Sequence, residues 1–220
     1  MIRMRYSWRT LIVVTIVAGC TIGFFVRRHY QRRAAAEVHD AAKLGDVERL
    51  KWCLWLDPGL VELPDAKGRT PLFYAIWRLR PEAVRVLLEA GADPNEGHER
   101  GYPVMHVIVW TKVHSPDSGK KRRCEVLAAL IAHGGDVDAR NPGGPTTLHR
   151  AAYAGRVSAA KVLLEAGADP NARETNGRTP LDTAEAHRQD EVAELLRACG
   201  AKTSAELDAK APEALKRGTR

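Results

Sequence analysis

Residues 177–185 read GRTPLDTAE, and residues 68–76 read GRTPLFYAI. A third opening, GPTTLHRAA, begins at Gly144, and a degenerate fourth, GYPVMHVIV, begins at Gly101. The glycines Gly68, Gly101, Gly144 and Gly177 thus recur at intervals of 33, 43 and 33 residues, one period with a single ten-residue insertion. Self-similarity at that spacing points to stacked supersecondary units, none of which buries its apolar side without a neighbour. Such a stack offers a long open face to partners and no ready-made catalytic cleft.

Each opening is followed, one short helix later, by an apolar pair: Leu87-Leu88, Leu130-Ile131, Leu163-Leu164 and Leu195-Leu196. Three of the pairs run into a glycine turn, AGADPN at 90–95, HGGDVD at 133–138 and AGADPN at 166–171. Thr70-Pro71 and Thr179-Pro180 place a capping hydroxyl before a proline suited to the first helical turn. Gly91, Gly134 and Gly167 stand just past apolar-periodic helices, where a left-handed C-terminal cap is wanted. These residues describe a turn–helix–turn–helix unit. With Thr146-Thr147-Leu148-His149-Arg150-Ala151-Ala152 and Thr70-Pro71-Leu72, the chain resembles the ankyrin-repeat family, whose signature is Thr-Pro-Leu-His followed by two alanines.

The expected fold is all-α: an ankyrin-repeat solenoid of about five helix–turn–helix units, preceded by one transmembrane helix. The repeat domain is placed at 35–202, with units at about 35–67, 68–100, 101–143, 144–176 and 177–202. The first and last units are degenerate. In the first, Ala41-Ala42 takes the place of the double alanine and Gly45-Asp46 makes the interhelix turn, while the last ends in the polar run AEAHRQDEVAELLRACGAK. Terminal repeats need such wettable outer sides. Residues 203–220 read as a polar tail with one helical turn around Ala205 to Ala209.

The net charge of +7 hints at a polyanion partner, but its distribution removes the hint. Residues 1–33 hold seven arginines and no acidic residue, which leaves the remainder with 27 basic and 27 acidic side chains. A neutral repeat domain has no overall field to attract nucleic acid, so none is expected as a partner.

The basic flank 1–9 leads into TLIVVTIVAGCTIGFFV, 17 uncharged residues from Thr10 to Val26, and a basic linker at 27–34 follows. At about 1.5 Å per residue this run spans roughly 25 Å, the short end for a bilayer crossing. Trp8 and Tyr30 flank it where amphipathic rings favour the headgroup level. Three readings stay open. An uncleaved single-pass anchor is favoured. Val17-Ala18-Gly19-Cys20 also resembles the lipobox of bacterial lipoproteins, with Cys20 as the lipidated residue, and simple signal cleavage is the third reading. That string, with the arginine- and alanine-rich usage, suggests a bacterial source. Three arginines precede the span and four follow it closely, nearly a tie under the positive-inside rule. Outside the span only Cys53, Cys124 and Cys199 remain, which is no disulfide framework and tilts the expectation weakly to the cytoplasmic side.

The resemblance implies partner-facing positions on the turn fingers and near the end of each inner helix. The ninth residue after the repeat glycine is Trp77, Trp110 and Tyr153 in three successive units, and Ala186 in the last. Arg78 and Thr111 fall beside this row, and the fingers supply Arg69, Tyr102 and Arg178. Aromatics with arginine are the usual composition of an interface hot spot. The competing reading is that the rings simply pack between inner helices. The insertion KVHSPDSGKKRR, at about Lys112 to Arg123, reads as a solvated surface loop, with a basic contact for an acidic partner or a lipid surface as the alternative.

Chemistry beyond binding finds no support. His106 and His149 occupy the family's consensus position, where histidine hydrogen-bonds neighbouring turns, and His39 lies nearby in the first unit. No CxxC or HExxH spacing, phosphate-binding Gly-rich loop or GxSxG elbow occurs. Asp93, Asp136, Asp138 and Asp169 recur with the turns and read as turn formers. The expectation is a non-enzymatic, membrane-tethered module, with no cofactor or metal and a monomeric repeat domain, that binds a protein of unknown identity. The alternative is a periplasmic lipoprotein or stress-protective accessory module that binds a small molecule or assists an enzyme.

Overall fold

The computed structural model describes residues 33–98, 101–111 and 116–209. These form five helix pairs: α1 (33–44) with α2 (Val47–Leu56), α3 (Pro71–Trp77) with α4 (Pro81–Glu89), α5 (Val104–Trp110) with α6 (Pro116–Ala132), α7 (Thr147–Tyr153) with α8 (Val157–Glu165), and α9 (Pro180–Ala186) with α10 (Asp190–Ala198). A short α11 (Ser204–Ala209) follows. The odd-numbered helices α3 to α9 pack in succession as an inner layer, and α2 to α10 pack as an outer layer. Two-residue strands, β1 (Gly97–His98) and β2 (Tyr102–Pro103), pair antiparallel in the third unit's finger. This is the all-helical stack that the 33-residue period implies.

Local chemistry sets the boundaries. The Thr70 hydroxyl accepts the Phe73 N–H at 3.2 Å, and Pro71 occupies the first turn, where its missing N–H costs nothing. Thr179 accepts from the Asp182 N–H at 3.2 Å while the Asp182 carboxylate accepts the Thr179 N–H at 2.8 Å, a reciprocal capping box. Outer helices end on left-handed glycines such as Gly91 (φ +95°) and Gly167 (φ +90°), after which the Ala92 and Ala168 N–H groups return to Leu87 and Leu163. The second and fifth units take the left-handed conformation in their interhelix turns without glycine, at Leu79 (φ +48°) and Arg188 (φ +54°), at a cost of about 1 kcal/mol each. Leu79 offsets it by burial.

The core is a repeated seam. Leu72, Met105, Leu148 and Leu181, each four residues after a repeat glycine, are fully buried, as are Leu87, Leu130, Leu163 and Leu196 on the outer helices. The third unit loses the threonine–proline motif but keeps the seam through Met105 and Ile108, which explains why its divergent opening still forms a helix. Each such side chain contributes roughly 2 kcal/mol of burial.

Two boundaries differ from expectation. Helix α1 already includes residues 33 and 34, and Ala34 is fully buried, so the linker placed at 27–34 is shorter. The insertion is not all loop: from Pro116 it lengthens α6 to 17 residues, because proline suits a first turn and Lys-Lys-Arg-Arg are good helix formers. At the other end, the helical turn expected around Ala205 to Ala209 is present as α11. Thr203 and Glu206 cap α11 reciprocally, and Arg173 holds it to a finger through Asp208 at 2.7 Å. The 10–26 segment and Cys20 lie outside the described residues. Among the described residues no helix is long and apolar enough to cross a membrane.

Candidate protein-interaction site

The fingers are built by one hydrogen-bond pattern. Gly68, Gly144 and Gly177 donate to the carbonyls of Asp65, Asn141 and Glu174, whose own N–H groups return to Arg69, Pro145 and Arg178. At Gly144 (φ +87°) a Cβ would sit 2.5 Å from the Thr175 hydroxyl, so the next finger packs on the bare backbone. Histidines then tie three of the inner helices, α1, α5 and α7, to a finger. His39, His106 and His149 each donate Nε2–H to a carbonyl, of Leu63 (2.8 Å), Ala139 (2.8 Å) and Arg178 (3.1 Å). His149 Nδ1 accepts the Thr146 N–H at 3.2 Å, which fixes the neutral tautomer, and burial lowers its pKa further than the Arg178 carbonyl raises it.

A second set of bonds joins unit to unit and was missed in the sequence. Glu62, Asn95, Asp138 and Asn171 accept the backbone N–H groups of Asp93, Asp136, Asp169 and Lys202 in the following unit, at 2.7, 2.7, 3.1 and 2.8 Å. Asn95 also donates to the Gly134 carbonyl at 3.0 Å. The recurring turn residues carried the signal, but only the stack shows which unit they serve.

On this frame Trp77, Trp110 and Tyr153 are the last residues of α3, α5 and α7, and they are 43, 44 and 51% exposed. Helices α3, α5 and α7 pack side by side, so the three positions follow one another along the inner layer, and Ala186 ends the row on α9. Each ring is bracketed by a cation or a polar ring. Arg78 lies over Trp77 at 4.9 Å, Arg150 of the next unit lies over Trp110 at 5.1 Å, and His187 of the next unit meets Tyr153 edge-on at 4.4 Å. Tyr102 leans on Trp110 at 5.2 Å. Thr111 is buried, its hydroxyl donating to the Ile108 carbonyl, and so is not part of the surface.

The finger residues behave unequally. Arg178 is exposed. Arg69 is spent on Asp65, with Nε at 3.1 Å and Nη2 at 2.9 Å, and lies 5.0 Å over the Tyr74 ring. Asp65 also accepts from the Tyr74 hydroxyl at 2.7 Å and from two backbone N–H groups. Burial works to raise its pKa, but these bonds outweigh it and hold the carboxyl well below its ordinary range. Arg69 is thus a strut of its finger before it is a contact. The sequence reading overlooked Arg150 and His187; both follow from carrying the inner-helix register one unit further.

Cys53 is buried, Cys124 half-buried and Cys199 exposed, all as free thiols. Among the described residues no three histidine, cysteine or acidic side chains converge as a metal site would require.

The same chain features are found in known proteins. Residues 38–88 match a family model described as ankyrin repeats (many copies), and residues 118–206 match one described as ankyrin repeats (3 copies). Between them the matches take in more than half of the chain, which belongs to the ankyrin-repeat family. Mouse Inversin is 28% identical over 156 residues, covering 60% of this chain and 15% of Inversin. A Caenorhabditis elegans homolog of transient receptor potential cation channel subfamily A member 1 is 30% identical over 136 residues, covering 56% of this chain and 11% of that protein. Human DNA-binding protein RFXANK is 43% identical over 58 residues, 26% of this chain and 22% of that protein. The chain therefore spans less than a quarter of each of these relatives.

Proposed function

We propose that this chain is a non-enzymatic adaptor, tethered to a membrane through residues 10–26, that captures a protein partner on the inner face of its repeats. The observation that carries the reading is the row of half-exposed rings at Trp77, Trp110 and Tyr153, each at the end of an inner helix and each beside a basic side chain or a histidine. Aromatic and arginine side chains supply most hot spots, because they bury large rigid areas and keep a polar handle. The core seam does not need them, since fully buried leucines carry it.

The family match supports a protein partner in general terms. The relatives include a channel subunit and a DNA-binding protein by name, so shared repeats do not bring a shared activity with them. The balanced charge of residues 34–220 favours a protein over nucleic acid. The tether rests on the uncharged run from Thr10 to Val26, with a weak lean to a cytoplasmic repeat domain. Confinement at a membrane raises the effective concentration towards partners held there.

The test combines capture and folding. Trp77→Ala and Trp110→Ala together are expected to weaken capture of the native partner at least about tenfold. They should lower unfolding stability by less than the 2–5 kcal/mol typical of a buried Leu→Ala. Deleting residues 10–26 should leave capture intact while moving the protein out of the membrane pellet. Unfolding of the double variant, with capture following the folded fraction, would make the rings packing residues instead.

A further inference from the structure

Among the described residues, the insertion leaves one buried guanidinium nitrogen, Arg156 Nε, without a hydrogen-bond partner. In the second unit Arg80, the residue before α4, reaches back with Nε to the Lys43 carbonyl at the end of α1, at 3.4 Å. Arg156 holds the same place before α8. The carbonyls at the end of α5, which it would reach by the same logic, are already taken. Arg123, brought there by the lengthened α6, donates Nε to Ile108 at 3.0 Å and Nη2 to Thr111 at 2.9 Å. Arg123 is 4% exposed, far from the solvated run expected of it. The displaced Arg156 Nε is buried and has no hydrogen-bond partner among the described residues.

Arg123 and Arg156 both line one pocket of about 110 Å³, with Lys120, Ser158 and Glu191. Lys120, Arg123 and Arg156 form no ion pair among the described residues. Burial first, and the Arg156 charge next, push the Arg123 pKa down, as two like charges do without an anion between them. The first turn of α8 adds backbone N–H groups at the same wall, and no side chain caps that helix. The pocket is rich in donors, and its one carboxylate is Glu191.

We infer that the pocket between α6, the α7–α8 turn and α10 binds a phosphate group, held by Arg156 and Lys120 with Arg123 as a fixed positive wall. The phosphate supplies the acceptors that the displaced guanidinium lacks, and a charge-assisted bond satisfies it best. The pocket lies by the interhelix turn, away from the fingers, so the inference stands independently of the aromatic row.

The test is thermal unfolding of the full chain in neutral detergent, with inorganic phosphate replacing chloride at constant ionic strength. The wild type is expected to gain about 3 °C or more in 10 mM phosphate. Arg156→Gln and Lys120→Gln, each compared with its own chloride baseline, should lose most of that gain, and Glu191→Gln should enlarge it. O-Phosphoserine competing better than inorganic phosphate would assign the group to a phosphorylated chain, and the reverse to the free ion. A gain absent in the wild type, or undiminished in both cation variants, overturns the inference.

Discussion

Glu96 shows how one substitution in the repeat pattern reorganises its surroundings. The consensus histidine position of the second unit is Phe73, which cannot donate to a finger. Glu96, in the next finger, compensates by accepting the Thr70 hydroxyl. Its other oxygen is buried with no partner among the described residues. Burial is the main reason its pKa rises from 4.5 to about 7, with the Glu62 and Asp93 charges adding and the Thr70 and Phe73 hydrogen bonds offsetting part. A raised folded-state value means that the protonated form is the one the fold favours. Its stabilisation is present in full below about 4.5 and is lost as pH rises through about 7. Glu96→Gln keeps an acceptor for Thr70 and removes the titration. Urea unfolding from pH 4.5 to 8 should therefore flatten in the variant by on the order of 2 kcal/mol, with the variant the more stable protein at pH 8. A wild-type stability that rises across this window, with no change on substitution, would contradict it.

At the scale of elements, the fold rests on the seam of leucines and on the side-chain ladder between units. Asn95 is the rung that both accepts from Asp136 and donates to Gly134, so Asn95→Ala strands two backbone groups. A loss of about 1–2 kcal/mol in chemical unfolding is expected, reduced to about the worth of one bond in Asn95→Asp, which keeps only the acceptor. Much of this level was legible in the sequence. Thr70, Thr179 and the glycines act within a few residues of themselves, so their types alone reveal helix starts and ends. The insertion was not, because proline, serine, aspartate and glycine read alike in a loop and in a first helical turn. Arg123 escaped for another reason. Its burial depends on where α6 lies against the end of α5, a tertiary fact no spacing encodes. The ladder was half legible: periodic acidic and amide turn residues were evident, but not the unit each would bond.

For the whole molecule, neighbouring helix pairs cover each other's apolar sides and leave the ends of the inner helices partly open. The aromatic row was legible because position along the period fixes position in the stack, and the structure shows Trp77, Trp110 and Tyr153 at one helix terminus in three units. Their bracketing by Arg150 and His187 was not, since it crosses from one unit to the next. The central claim is that this row meets a protein. Site-specific photo-crosslinking in living cells tests it most directly, with the reactive side chain placed at 110 or 153 and, as a control, at the exposed outer-layer position of Lys161. The expected result is one discrete crosslinked partner from 110 and 153 and none from 161, whereas equal crosslinking from all three, or from 161 alone, would contradict recognition by the inner face.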